Sequence, residues 1–183
     1  MEVVNYMSQT IDDFRNFFKP DKSIIDFSLT QVMDEAIKIV DTQFRSNNIT
    51  IDTRYQCAQE CQIPGFPSEI KQLLLNLLNN AKDAILQWRK DNRKNTKGTI
   101  AVSVIETQSQ IFLTIEDNGG GIPDAIVDKI FDPYFTTKHQ GEGTGLGLYM
   151  SKIIIDKHMK GTIRAENTPD GARFEIAFKK HLR

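Results

Sequence analysis

The stretch from Ser68 to about Asp91 constrains the fold more than any other part of this chain. Ile70, Leu73, Leu74, Leu77, Leu78, Ala81, Ala84, Ile85 and Trp88 recur at steps that put apolar side chains on one side of a helix, which must be buried. Two asparagines, Asn76 and Asn80, interrupt the leucine-rich run four residues apart and so project from one face. An amide on such a helix needs a partner. Helix capping, solvent or an ordinary hydrogen bond satisfies most amides, and taken alone the spacing favours that reading. The other possibility is magnesium, which takes one or two protein oxygens and fills its shell with phosphate and water.

The rest of the chain supplies elements for that helix to pack with. Leu29, Val32, Met33, Ile37, Val40 and Phe44 line one face of an earlier helix, with a cap expected at Ser28 or Thr30. Alternation predicts strands over Ile49 to Tyr55, Ile100 to Val104, Ile111 to Ile115, Thr162 to Glu166 and Arg173 to Phe178. Pro64 to Pro67 and Pro169 to Gly171 read as turns, Arg89 to Gly98 as a loop, and Leu146 to His158 as a helix. At the start, Val4, Met7, Ile11, Phe14 and Phe18 alternate steps of three and four, an amphipathic helix with either a coiled-coil-like seam or a face packed on its own domain. Pro20 breaks it.

Composition narrows the class. At 183 residues, 39% hydrophobic and 26% charged, the chain reads as a globular domain with an appendage rather than a disordered tail. A net charge of -1 gives no global field for a polyanion, so no nucleic-acid partner is expected. No apolar run is long enough to span a bilayer, and Met1 to Lys22 lacks the apolar core of a signal peptide, so a cytoplasmic location is expected. Cys57 and Cys61 match neither a zinc pattern nor a C-x-x-C motif and are expected as reduced thiols.

The stretch from Asp117 to Gly147 is glycine-rich and holds only a short helix around Ala125 to Ile130. Connections that long inside a domain are usually functional. It opens with Asp117-Asn118-Gly119-Gly120-Gly121-Ile122-Pro123, directly after a strand. A carboxylate there would accept a hydrogen bond from an exocyclic amino group, although any tight turn could use the same residues. It closes with Gly141-Glu142-Gly143-Thr144-Gly145-Leu146-Gly147-Leu148 leading into a helix, with Lys138 just before. Alternating glycines before a helix start leave backbone amides open to phosphate. Neither the P-loop nor the G-x-G-x-x-G pattern occurs.

In order and spacing, Asn76-Leu77-Leu78-Asn79-Asn80-Ala81, Asp117 to Pro123, Phe131-Asp132-Pro133-Tyr134-Phe135-Thr136-Thr137-Lys138 and Gly143 to Leu148 resemble four boxes of sensor histidine kinases. These are the asparagine, first glycine, phenylalanine and second glycine boxes of the ATP-binding catalytic domain, whose fold is shared with gyrase-type ATPases. The resemblance implies a two-layer α/β sandwich, a mixed β-sheet with helices on one face, preceded by the N-terminal amphipathic helix. Residues 1–19 would be the second helix of a dimerisation and phosphotransfer hairpin, 20–27 a linker and 28–183 the catalytic domain.

Carried over by position, Asn80 would be the principal magnesium ligand with Asn76 beside it. Asp117 would bind the adenine amino group, flanked by Gly119, Gly121 and Ile122. Lys138, Gly143, Thr144, Gly145, Leu146, Gly147 and Leu148 would close on the phosphates of ATP as a mobile lid, with Phe131 its hinge. Related ATP hydrolases carry a glutamate base where Asn76 stands. An amide cannot take a proton, so slow hydrolysis and transfer to an outside nucleophile are expected. His139, His158 and His181 all follow the asparagine box, whereas the family's acceptor histidine precedes it. The resemblance therefore implies a truncated kinase acting on a hairpin in trans. Its expected partners are ATP, that hairpin and a response-regulator receiver domain, in a parent that dimerises. Alternatives are an anti-sigma-factor-type serine kinase and a nucleotide-sensing module without transfer activity.

Overall fold

The structure, a computed structural model, describes residues 23–57, 61–138 and 143–180. The expected N-terminal helix over 1–19 lies outside the described residues. In chain order the elements are β1 (Ile25–Ser28), α1 (Leu29–Ser46), β2 (Ile49–Gln56), β3 (Gln62–Gly65), α2 (Pro67–Asn92), β4 (Gly98–Glu106) and β5 (Gln110–Asp117). A 3₁₀ turn (Val127–Lys129) follows, then α3 (Gly147–Ile153) running into a π-helical turn (Ile154–His158), β6 (Thr162–Asn167) and β7 (Ala172–Lys179).

Local chemistry sets the helix ends. Ser28 Oγ accepts the Gln31 N–H at 3.1 Å, which caps α1. Pro67 opens α2, where its missing N–H costs nothing, and Arg93 closes it in the left-handed conformation at φ 49°. One turn earlier, the Arg89 guanidinium donates to the carbonyls of Asn47 and Asn48 at 2.6 and 2.8 Å, stapling the end of α2 to the α1–β2 connection.

Five strands form one mixed sheet in the order β2-β4-β5-β7-β6, with β2 and β4 parallel and the other pairs antiparallel. The register sets Val104 beside Leu113 and Leu113 beside Ile176, and the period of two buries Ile100, Val102, Val104, Ile111, Leu113, Ile115, Phe174, Ile176 and Phe178. They share one core with Leu29, Met33 and Phe44 of α1 and Leu73, Leu74, Leu77 and Leu78 of α2. Removing a side chain such as Leu113 from that core should cost about 2–5 kcal/mol. The opposite sheet face is polar: the Ser103 and Thr114 hydroxyls lie 2.5 Å apart, and Arg173 bridges Glu116 and Glu166. Helices on one face of a mixed sheet make the expected two-layer α/β sandwich.

Several local features depart from the sequence reading. Residues Ile25–Ser28, expected at the linker boundary, pair antiparallel with β3, Ile25 opposite Gly65 and Phe27 opposite Ile63. Four-residue strands show too little alternation to be read, and Pro64 is tolerated because this pair stands apart from the main sheet. The segment around Ala125 to Ile130 forms only the 3₁₀ turn. Cys57 and Cys61, expected as thiols, are joined in a disulfide with Cα atoms 5.6 Å apart, a proximity that β2 and β3 create and sequence spacing does not reveal.

Candidate functional site

One face of α2 borders a cleft of about 1130 Å³. Asn76, Asn80, Ala84 and Trp88 follow one another along that wall at steps of four. Opposite stand the loop after β5, the Phe135–Lys138 segment and the start of α3. The volume lies just above the range of about 300–1,000 Å³ usual for small-molecule sites. Ala84 and Trp88, expected on the buried side of the helix, are half-buried here, because four-residue steps drift off the core-facing stripe.

Asp117 closes one end. It is the last residue of β5 and only 6% exposed. Its Oδ1 accepts the Gly119 N–H at 2.7 Å and the Ala172 N–H at 3.4 Å, which leaves Oδ2 to the cleft. Burial pushes the Asp117 pKa up, the two backbone hydrogen bonds draw it back, and the neighbouring Glu116 charge adds to the rise. Trp88 walls this end, so close that a β-carbon on Gly120 would stand 2.1 Å from its ring.

The other end is amide-lined. Asn76 Nδ2 donates to Ser151 Oγ at 3.0 Å, and that hydroxyl donates in turn to the Gly147 carbonyl at 3.0 Å. Asn76 Oδ1 lies against Gly147, where a β-carbon would stand 2.3 Å away, so only glycine lets α3 come this near to α2. Asn79 spends its amide on the Leu75 carbonyl at 2.8 Å. Asn80 makes no side-chain hydrogen bond among the described residues and faces the cleft.

Lys138 enters from the loop side and its Nζ meets Asp83 Oδ2 at 2.5 Å. Lys82 does not line the cleft: its Nζ lies 5.9 Å from the centre of the Phe44 ring, donates to Asn79 Oδ1 at 3.3 Å and meets the other oxygen of Asp83 at 3.5 Å. Thr144 Oγ1 accepts the Leu146 N–H at 3.2 Å. Phe131 stacks edge-on against Phe174 with ring centres 6.4 Å apart.

The fold thus brings Asn76, Asn80, Asp117, Gly119, Gly121, Ile122, Lys138, Gly143, Thr144, Gly145, Gly147 and Leu148 around one cleft. Leu146 is the exception: its side chain is 6% exposed in the packing beneath, and its N–H is already engaged. Residues 139–142 of the expected lid lie outside the described residues. Trp88, Asp83 and Thr136 also line the cleft without having been singled out. Trp88 was within reach, twelve residues beyond Asn76 on the same helical row, whereas nothing in the pattern marked Asp83 as the partner of Lys138.

Comparison with known proteins adds to this geometry. The family model for the histidine kinase-, DNA gyrase B-, and HSP90-like ATPases matches residues 65–182, which include both walls of the cleft. The chain belongs to this ATPase family. Membership implies a cleft that binds ATP. Among curated family relatives, sporulation kinase A of Bacillus subtilis (strain 168) is 31% identical over 154 residues, covering 84% of this chain and 23% of the relative. The signal transduction histidine-protein kinase AtoS of Escherichia coli (strain K12) is 43% identical over 109 residues, 58% of this chain and 16% of the relative. The chain therefore spans less than a quarter of either protein. Of solved structures, the nucleotide-free catalytic domain of histidine kinase ThkA aligns at a TM-score of 0.74 with 28% identity, covering 87% of this chain and 97% of that domain. A second ThkA structure, in complex with the response regulator TrrA, aligns at 0.72 with 23% identity, over 97% of this chain and 49% of that one.

Proposed function

We propose that this chain is the ATP-binding catalytic domain of a two-component sensor histidine kinase. It would present the γ-phosphate of ATP to a histidine on a dimerisation hairpin. The imidazole nitrogen bonds to the γ-phosphorus as the bond to the bridging oxygen breaks and ADP departs. The observation that carries the reading is an amide, Asn76, rather than a carboxylate at the phosphate end, in a cleft whose far end holds the buried carboxylate of Asp117.

Magnesium fits this site. The neutral amide oxygen of Asn80 is a hard donor left unengaged among the described residues, with Asn76 one turn before it, and the ion would neutralise phosphate charge when bound. With no general base at Asn76, the domain holds ATP without activating water, and rate comes from positioning and charge neutralisation. His158 is not the acceptor in this reading, because it does not line the cleft and its Nδ1 is bonded to Glu69 at 2.7 Å in the packing beside α2.

In this reading residues 1–19 contribute the second hairpin helix, 20–27 a linker and 28–183 the catalytic domain. A dimeric parent, a receiver-domain partner and a cytoplasmic location complete it. Among the described residues no helix is long and apolar enough to cross a membrane. Mixing the chain with a hairpin fragment that carries the acceptor histidine should give acid-labile, base-stable label from γ-labelled ATP. Label on the isolated chain, lost in His158→Gln, would overturn the assignment.

A further inference from the structure

Asn167, the last residue of β6, grips the backbone of Ile122 from both sides. Its Oδ1 accepts the Ile122 N–H at 2.7 Å and its Nδ2 donates to the Ile122 carbonyl at 2.7 Å. A primary amide offers an acceptor and a donor side by side, so one side chain stands in for a paired strand. Ile122 needs such a partner, since the three glycines before it bring no side-chain packing of their own.

The grip belongs to a set. The Gly120 N–H donates to the Asp170 carbonyl at 2.9 Å, and the Ala172 N–H donates to Asp117 Oδ1 at 3.4 Å. Asp117, Gly120 and Ile122 are therefore each fastened to the β6–β7 turn or to the strand residue at either end of it, outside the glycine-rich motifs. The carboxylate and the residue beside it share one anchor.

The geometry points to Asn167 as a positioning residue that sets the height of the base in the cleft, and with it the preference for adenine over guanine. This rests on the reading of the cleft as an ATP site. Adenine turns an amino donor towards the Asp117 carboxylate, whereas guanine carries a carbonyl at that ring position, which the carboxylate repels. The contrast is sharp only if Ile122 holds the ring at one height. Asn167 also occupies both polar groups of the Ile122 backbone, which withdraws them from the base. Because Asn167 is exposed, its removal hands those groups to water and leaves the core intact.

The test titrates ATP and GTP, each with magnesium, into wild type, Asn167→Ala and Asn167→Asp, with thermal melts of all three. Wild type is expected to prefer ATP. Asn167→Ala should weaken ATP by on the order of tenfold, about 1.4 kcal/mol, leave GTP nearly unchanged and melt close to wild type. Asn167→Asp keeps the acceptor but sets a carboxylate against the Ile122 carbonyl, and should do no better than alanine. An unchanged ATP-to-GTP ratio in both variants, or equal loss of both nucleotides, would overturn the positioning role. Wild-type affinity in Asn167→Asp would overturn the two-sided grip. A wild-type chain that binds neither nucleotide would instead overturn the ATP reading itself.

Discussion

Lys138 is held by Asp83: its ammonium nitrogen meets the carboxylate at 2.5 Å on the rim of the cleft. The lysine expected to reach phosphate is thus already paired to α2. Both side chains are more than a third exposed, so the pair is worth well under 1 kcal/mol and is screened by salt. Asp83→Asn should release Lys138 and tighten ATP about two- to threefold at low ionic strength, with the gain fading as salt rises. Calorimetric titration at two salt concentrations reads this directly, and weaker binding in Asp83→Asn would show that the carboxylate helps rather than competes.

Asn76 and Asn80 should separate cleanly on mutation. Asn76→Ala breaks the bond to Ser151, a hydroxyl only 1% exposed, and should cost about 1–3 kcal/mol of stability. Asn80→Ala removes an amide with no partner among the described residues and should leave the melting temperature within a degree or two. Its loss should appear instead in ATP binding with magnesium and vanish when EDTA is present. A melting point as low as that of Asn76→Ala would contradict this division.

Asp117 couples stability and binding in opposite directions. Its raised pKa means that, just above the ordinary carboxylate value of about 3.9, the folded state keeps a proton that the unfolded chain has released. Stability therefore falls as pH rises through that window. ATP affinity should rise through the same window, as the carboxylate forms. In Asp117→Asn the side-chain oxygen still accepts from Gly119 and Ala172, so the variant should melt no lower than wild type at neutral pH yet bind ATP at least tenfold more weakly. The pH slope of its melting temperature should flatten. An unchanged slope would place the buried proton elsewhere.

Glu69 in the first turn of α2, only 2% exposed, meets His158 Nδ1 at 2.7 Å at the far end of the α3 helical run. His158→Gln should lower stability by about 1–3 kcal/mol. Phosphotransfer per folded molecule, normalised by circular dichroism, should not change, and a specific loss of transfer would give His158 a role in the chemistry.

Elements with long periods were legible in the sequence, and short ones were not. The α2 stripe from Ile70 to Ile85 was readable because it repeats for about four turns, and β4, β5 and β7 because each alternates over eight or nine residues. β1 and β3 have four residues each, and their pairing is a long-range fact. At the site, the asparagine and glycine residues were legible through four boxes in a fixed order, whereas the spacing of the asparagines alone favoured an ordinary structural role. Asp83, Asn167 and Ala172 were not legible, since each acts through a contact with a distant segment: Asn167 reaches Ile122 across 45 positions. The disulfide was hidden for a different reason: Cys57 and Cys61 are only four residues apart, and a spacing of four matches no pairing motif.

The row Asn76, Asn80, Ala84 and Trp88 makes one helix serve as a ruler. From the first to the last is about 18 Å at 1.5 Å per residue, so the span between the proposed phosphate end and the proposed base end is dictated by helical rise, however the opposing loops are arranged. The gauge tolerates no adjustment in small steps. One residue inserted between Asn80 and Ala84 would rotate everything beyond it by about 100° and carry Trp88 off the wall. A cleft of this design keeps its wall aligned only when the helix is lengthened or shortened by a whole turn, about 5.4 Å at a time.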